Sequence, residues 1–185
     1  MRIRAGESMA LELRASAQLM VVLTGSGSTS VLGETASWGQ GDVLALPGAA
    51  VIEHTAHEDV VAWLVTDEPA LNFQELYPSD PRDASIAPVI YTAKALEDEL
   101  DALYKHPDVK TFPGYAVVLS HQALESTRNI HPTLTLALNS LPPGEFQRPH
   151  VHNSMALTLC LEGEDCFSMI DGERKDWQPH VVMLT

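Results

Sequence analysis

The residues best equipped for chemistry lie in Gly144-Glu145-Phe146-Gln147-Arg148-Pro149-His150-Val151-His152, where two histidines stand two positions apart and follow a glycine after five intervening residues. On a β-strand, side chains at i and i+2 leave the same face, so His150 and His152 would project into one space and meet a single cation. Imidazole is a common protein ligand for divalent iron, zinc, copper and nickel, and two rings leave coordination positions open for a substrate and O2. An isolated His-x-His on a strand also occurs as a surface or structural pair. The metal reading therefore leans on the glycine ahead of the pair and on the strand-and-glycine pattern behind it. Arg148 offers a planar fork suited to a carboxylate, on the ligand face provided no bulge intervenes at Pro149; the competing reading is a plain surface arginine. Gln147 and Asn153 alternate to the opposite face and carry no assigned role.

The elements that must hold this segment occur twice. Gly6-Glu7 is matched by Gly144-Glu145 and Gly25 by Gly163, both at a separation of 138 residues, while Gly33-Glu34 matches Gly172-Glu173 and Trp38 matches Trp177 at 139. Between these marks both stretches alternate in the manner of strands, Leu19 to Leu23 in one and Leu157 to Leu161 in the other, each broken by a glycine and resumed toward a second turn. Leu32-Gly33-Glu34 and Asp171-Gly172-Glu173 place glycine where a tight hairpin needs positive φ. The pattern predicts a β-meander used twice.

The connector differs in texture. Residues 78–92 are rich in Pro and Asp and read as an extended linker. Residues 93–104 put Leu96, Leu100 and Leu103 on one helical face, with Thr92 as the N-cap and Pro107 just beyond the end. That stripe is expected to pack on a barrel or on a neighbouring subunit. Residues 115–119 and 133–138 return to short apolar runs and are expected to be strands.

A formal charge of −14 and a pI near 4.8 would repel phosphate backbones and anionic lipid, which argues against nucleic acid and membrane partners. The N-terminal residues lack an apolar stretch of signal-peptide type, and no run of about eighteen apolar residues occurs, so a cytoplasmic location is expected. Cys160 and Cys166 lack metal-site spacing and are read as reduced core or strand residues.

The glycine, the His-x-His pair, the following apolar strand and Gly163 together resemble the first motif of the cupin superfamily, and residues 41–54 of the first copy resemble its second motif. More closely, residues 142–179 with the helical connector ahead of them resemble the gentisate 1,2-dioxygenase family of bicupins, with related salicylate and 1-hydroxy-2-naphthoate dioxygenases. The resemblance implies a mainly all-β fold of two tandem jelly-roll barrels. The first, degenerate, would span 1–77, a linker with the helix 78–111, and the second 112–185. It also implies Fe(II), or another divalent metal, held by three histidines, with a small hydroxylated aromatic acid and O2 as reactants, and a homo-oligomer, dimer or tetramer. Other cupins add a Glu four or five residues after the pair; Ala156 and Leu157 occupy those slots, which fits an all-histidine site.

The first copy departs from this pattern. Glu12-Leu13-Arg14 stands where His-x-His should be and Ile52 where the second motif carries its His, so no metal is expected there, and His54 is expected to be a partly exposed polar residue. In the second copy the counterpart of Ile52 falls at position 191, beyond Thr185, so the third ligand is expected outside these residues. Either the chain is a fragment or another chain completes the barrel. His180, at the place of Gly41, is a weak candidate ligand. The competing function is a bicupin without turnover whose His pair is vestigial.

Overall fold

In a computed structural model, residues 1–112, 114–151 and 154–185 are described. The strands are Arg2–Ile3 (β1), Ser8–Leu11 (β2), Ala17–Thr24 (β3), Gly27–Val31 (β4), Glu34–Trp38 (β5), Val43–Pro47 (β6), Ile52–Ala56 (β7) and Val60–Thr66 (β8). A short helix Glu68–Phe73 (α1) follows, then Val89–Tyr91 (β9), the helix Ala93–Lys105 (α2), Tyr115–Leu119 (β10) and Leu136–Ser140 (β11). The last elements are Leu157–Leu159 (β12), Phe167–Ile170 (β13), Glu173–Asp176 (β14) and Val182–Leu184 (β15). Two compact units result, Met1–Gln147 and Arg148–Thr185.

In the first unit one sheet runs β1-β8-β3-β6-β9 and the other β2-β7-β4-β5, every pair antiparallel. This interleaving is that of an eight-stranded double-sheet jelly roll, the architecture cupins share, with β9 added at one edge. The alternation of β3 explains how it is sandwiched. Met20 and Val22 face the space between the sheets with Val31, Trp38, Leu44, Leu46 and Ile52. Ala17, Leu19 and Val21 face the opposite way, where they need a second cover.

That cover comes from the connector. Thr92 caps α2 by accepting the Ala95 N–H at 3.3 Å, and Leu96 joins Ile86, Leu119 and Ile130 over the outer face of β3 and β6. Burying Leu96 contributes about 2 kcal/mol. Tyr104 donates its hydroxyl to Ser140 and lies against Tyr115 at 5.5 Å, fixing α2 to the β10–β11 ribbon. Leu96 of the leucine stripe thus packs on this chain's own sheet.

Two histidines clip the segment joining β10 to β11. His121 accepts the Ala123 N–H at Nδ1 (3.0 Å) and donates from Nε2 to the Ala87 carbonyl (3.1 Å). His131, fully buried, repeats the arrangement with the Thr133 N–H (3.1 Å) and the Ala17 carbonyl (3.1 Å). Both rings act as donor and acceptor at once, which only the neutral imidazole can do.

In the second unit β12 pairs with β15 and β13 with β14, and among its described residues none is buried. The repeat is carried through in register. Leu19↔Ala45, Met20↔Leu44 and Val21↔Val43 of β3–β6 become Leu157↔Leu184, Thr158↔Met183 and Leu159↔Val182, at the same offsets of 138 and 139 residues. Val31↔Glu34 of β4–β5 becomes Ile170↔Glu173. The hairpin turns agree as well, with φ of 53° and 85° at Leu32-Gly33 and 51° and 82° at Asp171-Gly172.

Candidate functional site: a histidine segment and a buried polar core

His150 is exposed and lies in coil, not in the expected strand, so alternation along a strand does not orient it. The mapping gives the local reason: its counterpart Glu12 lies in the coil between β2 and β3. His150 Nδ1 stands 3.1 Å from the Arg148 carbonyl, and because a carbonyl only accepts, Nδ1–H donates there. Arg148 is exposed. His152 and Asn153 lie outside the described residues. Among the described residues no three His, Cys, Asp or Glu side chains converge in a way that could hold a metal ion. The donor set thus fits a divalent metal only in part.

His180 takes φ of 65° where Gly41 takes 84°, and its N–H donates to the Cys160 carbonyl at 2.7 Å, as that of Gly41 does to Val22 at 2.9 Å. It serves the turn. Cys160 is half-buried and Cys166 exposed, both free and neither in the core; burial, then the nearby Cys166, pushes the Cys160 thiol up.

The first copy holds the more enclosed polar groups. Arg14, the counterpart of His152, donates from Nε to the Leu76 carbonyl at 2.6 Å and stacks over Tyr77 at 3.6 Å, so it anchors the chain after α1. Ile52 is fully buried, and His54, two residues on along β7, faces the same interior. The expectation of a partly exposed His54 is corrected: its exposure is 0%. The signal was present in Ile52-x-His54-x-Ala56, a period of two shared with apolar residues.

His54 Nδ1 lies 2.8 Å from Thr29 Oγ1, and the Trp38 indole N–H donates to the same oxygen at 2.7 Å. Burial pushes the His54 imidazole down to about 4, so it is neutral at pH 7. In the second unit Trp177 donates to Ser168 Oγ at 2.8 Å, so the Trp-hydroxyl staple is itself repeated. Gly27 permits it, because a Cβ there would sit 2.4 Å from the Thr55 carbonyl and 2.6 Å from the Trp38 ring. Trp38→Phe, which removes the donor and part of the ring, is expected to cost about 2 kcal/mol, read as a lower urea midpoint with unchanged slope.

No protein-family model matches the chain, and no curated protein does. Among solved structures, the salicylate 1,2-dioxygenase of Pseudaminobacter salicylatoxidans is similar over 49% of this chain and 23% of its own, at 19% identity and a TM-score of 0.38. The same enzyme with gentisate gives the same identity and TM-score over 22% of its length. A protein of unknown function from Rhizobium leguminosarum bv. viciae 3841 is 26% identical over 42% of this chain and 65% of its own, with a TM-score of 0.33. The chain thus spans less than a quarter of the salicylate dioxygenases it matches. These likenesses are partial, and the jelly-roll class rests on the strand order of this chain itself. Among the described residues no helix is long and apolar enough to cross a membrane.

Proposed function

We propose that the chain serves an Fe(II)-dependent, ring-cleaving dioxygenase of the gentisate 1,2-dioxygenase type, acting with O2 on a small hydroxylated aromatic carboxylate. What supports the reading is the in-register repeat, which aligns His150 and His152 with Glu12 and Arg14 of a jelly roll whose own ligand slots are filled by other residues. When bound, the iron would supply a Lewis acid and a path for electrons between ring and oxygen. His150 and His152 would hold it. The Arg148 carbonyl would orient the His150 ring through Nδ1–H, and the Arg148 guanidinium would take the substrate carboxylate. Assembly as a homodimer or homotetramer in the cytoplasm belongs to the same proposal.

A second reading, a bicupin without turnover whose histidine pair is vestigial, is favoured by the lack of a three-donor cluster among the described residues. Metal analysis of the purified chain, followed by O2 uptake with gentisate, salicylate and 1-hydroxy-2-naphthoate, separates the two. The dioxygenase reading expects stoichiometric iron and uptake with at least one acid; iron without uptake for any of them leaves the second reading. His152→Ala is expected to remove the metal and Glu12→Ala to leave it in place.

A further inference from the structure

Polar atoms inside the first unit's jelly roll are left without partners. Gln18, fully buried on β3 beside inward Met20 and Val22, has neither carboxamide atom hydrogen-bonded among the described residues, and His54 Nε2 is likewise unpaired there. Each such group costs about 1–3 kcal/mol if nothing meets it. The tautomer of His54 follows from its neighbours. Indole nitrogen only donates, so Trp38 occupies one of the two acceptor positions of Thr29 Oγ1; the buried Thr29 hydroxyl proton has no other acceptor among the described residues and donates to His54 Nδ1, so His54 Nε2 carries the proton. The interior therefore presents an imidazole N–H and a whole carboxamide to its own apolar core.

The Gln18 carboxamide is not needed for the staple. The second unit keeps the Trp-hydroxyl bond while Ala156 stands at the position of Gln18. Next to them lies a cavity of about 270 Å³, close to the lower end of ligand-pocket sizes, lined by Thr29, Val31, Leu44 and Leu46 and rimmed by residues of edge strands β5 and β9. Its wall includes Thr29, bonded to His54, and Leu46, which pairs with Gln18 across β3 and β6. The unpaired groups thus belong to residues directly adjoining two residues of the wall. Among the described residues no cationic side chain lines the cavity, and Glu34 sits at its rim, so a buried anion would meet repulsion and an uncompensated desolvation cost.

We propose that the interior of this jelly roll binds a small uncharged molecule, an apolar body bearing a carbonyl or hydroxyl oxygen that accepts from His54 Nε2–H and pairs with the Gln18 carboxamide. The site is independent of His150 and His152. The test is NMR of the His54 ring and the Gln18 side-chain amide in the full chain, titrated with benzamide and with benzyl alcohol, benzoate being the charged control. Saturable shifts of both groups are expected with at least one neutral probe, with benzoate at least tenfold weaker and Gln18→Leu weakening the neutral probe at least tenfold. Unmoved resonances up to the solubility limit of both neutral probes would mean that internal water alone meets these groups, and would overturn the proposal. So would binding that is unchanged in Gln18→Leu. A His54→Leu chain adds a second arm, and should it fail to fold, Gln18→Leu decides alone.

Discussion

Acidification from pH 7 to pH 4 is expected to remove about 3 kcal/mol of stability through His54 alone. In the unfolded chain His54 takes up a proton as the pH falls through 6.5, whereas in the folded chain burial holds it neutral until about 4. Between those values the unfolded state binds more protons, so stability declines with falling pH at about 1.4 kcal/mol per unit, and the loss is complete below 4. His131 acts in the same sense. Burial lowers its affinity for a proton, and the Asp67 carboxylate and the Ala17 carbonyl oppose that only in part. Protonation would also break the Thr133 N–H bond to Nδ1, which needs the lone pair of the neutral ring. Urea unfolding from pH 7 to pH 4, compared between the chain and a His54→Leu variant, isolates the term. A variant whose stability falls as steeply as that of the parent would remove His54 as the cause.

Asp67→Ala is expected to destabilise the first unit by about 3 kcal/mol, because one buried carboxylate joins three parts of the chain. Asp67 follows β8 directly. It accepts the Ser16 N–H at 2.9 Å and the Ser16 hydroxyl just ahead of β3, and the Thr133 hydroxyl at 3.4 Å from the segment before β11. His131 Nε2 lies 3.7 Å from it. Removing the carboxylate leaves the Ser16 N–H without its acceptor and loosens the segment that His131 clips to Ala17. Amide hydrogen exchange should therefore rise first at residues 129–135, and Asp67→Asn, which keeps one carbonyl oxygen, should cost less than half as much. Equal protection of that segment in parent and Asp67→Ala would show that the carboxylate does not hold it.

Local chemistry made several features legible without coordinates. The Leu32-Gly33 and Asp171-Gly172 turns, the alternation around them and the Thr92 cap are each decided within a few residues, because positive φ, period-two burial and capping are short-range matters. The repeat was legible for the same reason: its marks are turn and staple residues, and the turns and the Trp-hydroxyl bond recur with nearly equal geometry in both copies. The strand placement of His150 was not legible, since a His-x-His string carries no statement of which strands flank it.

By itself, the sequence determined a chain of antiparallel hairpins, a repeated meander and one amphipathic helix, all set by neighbours a few positions apart. Only the tertiary structure decided that His54 is buried between the sheets of the jelly roll, that Gln18 is left there without partners among the described residues, that His131 reaches back to Ala17, and that α2 with β10–β11 covers the outer face of β3. Each of these depends on segments distant in the chain, whose meeting is governed by which apolar faces remain uncovered once the two sheets have closed.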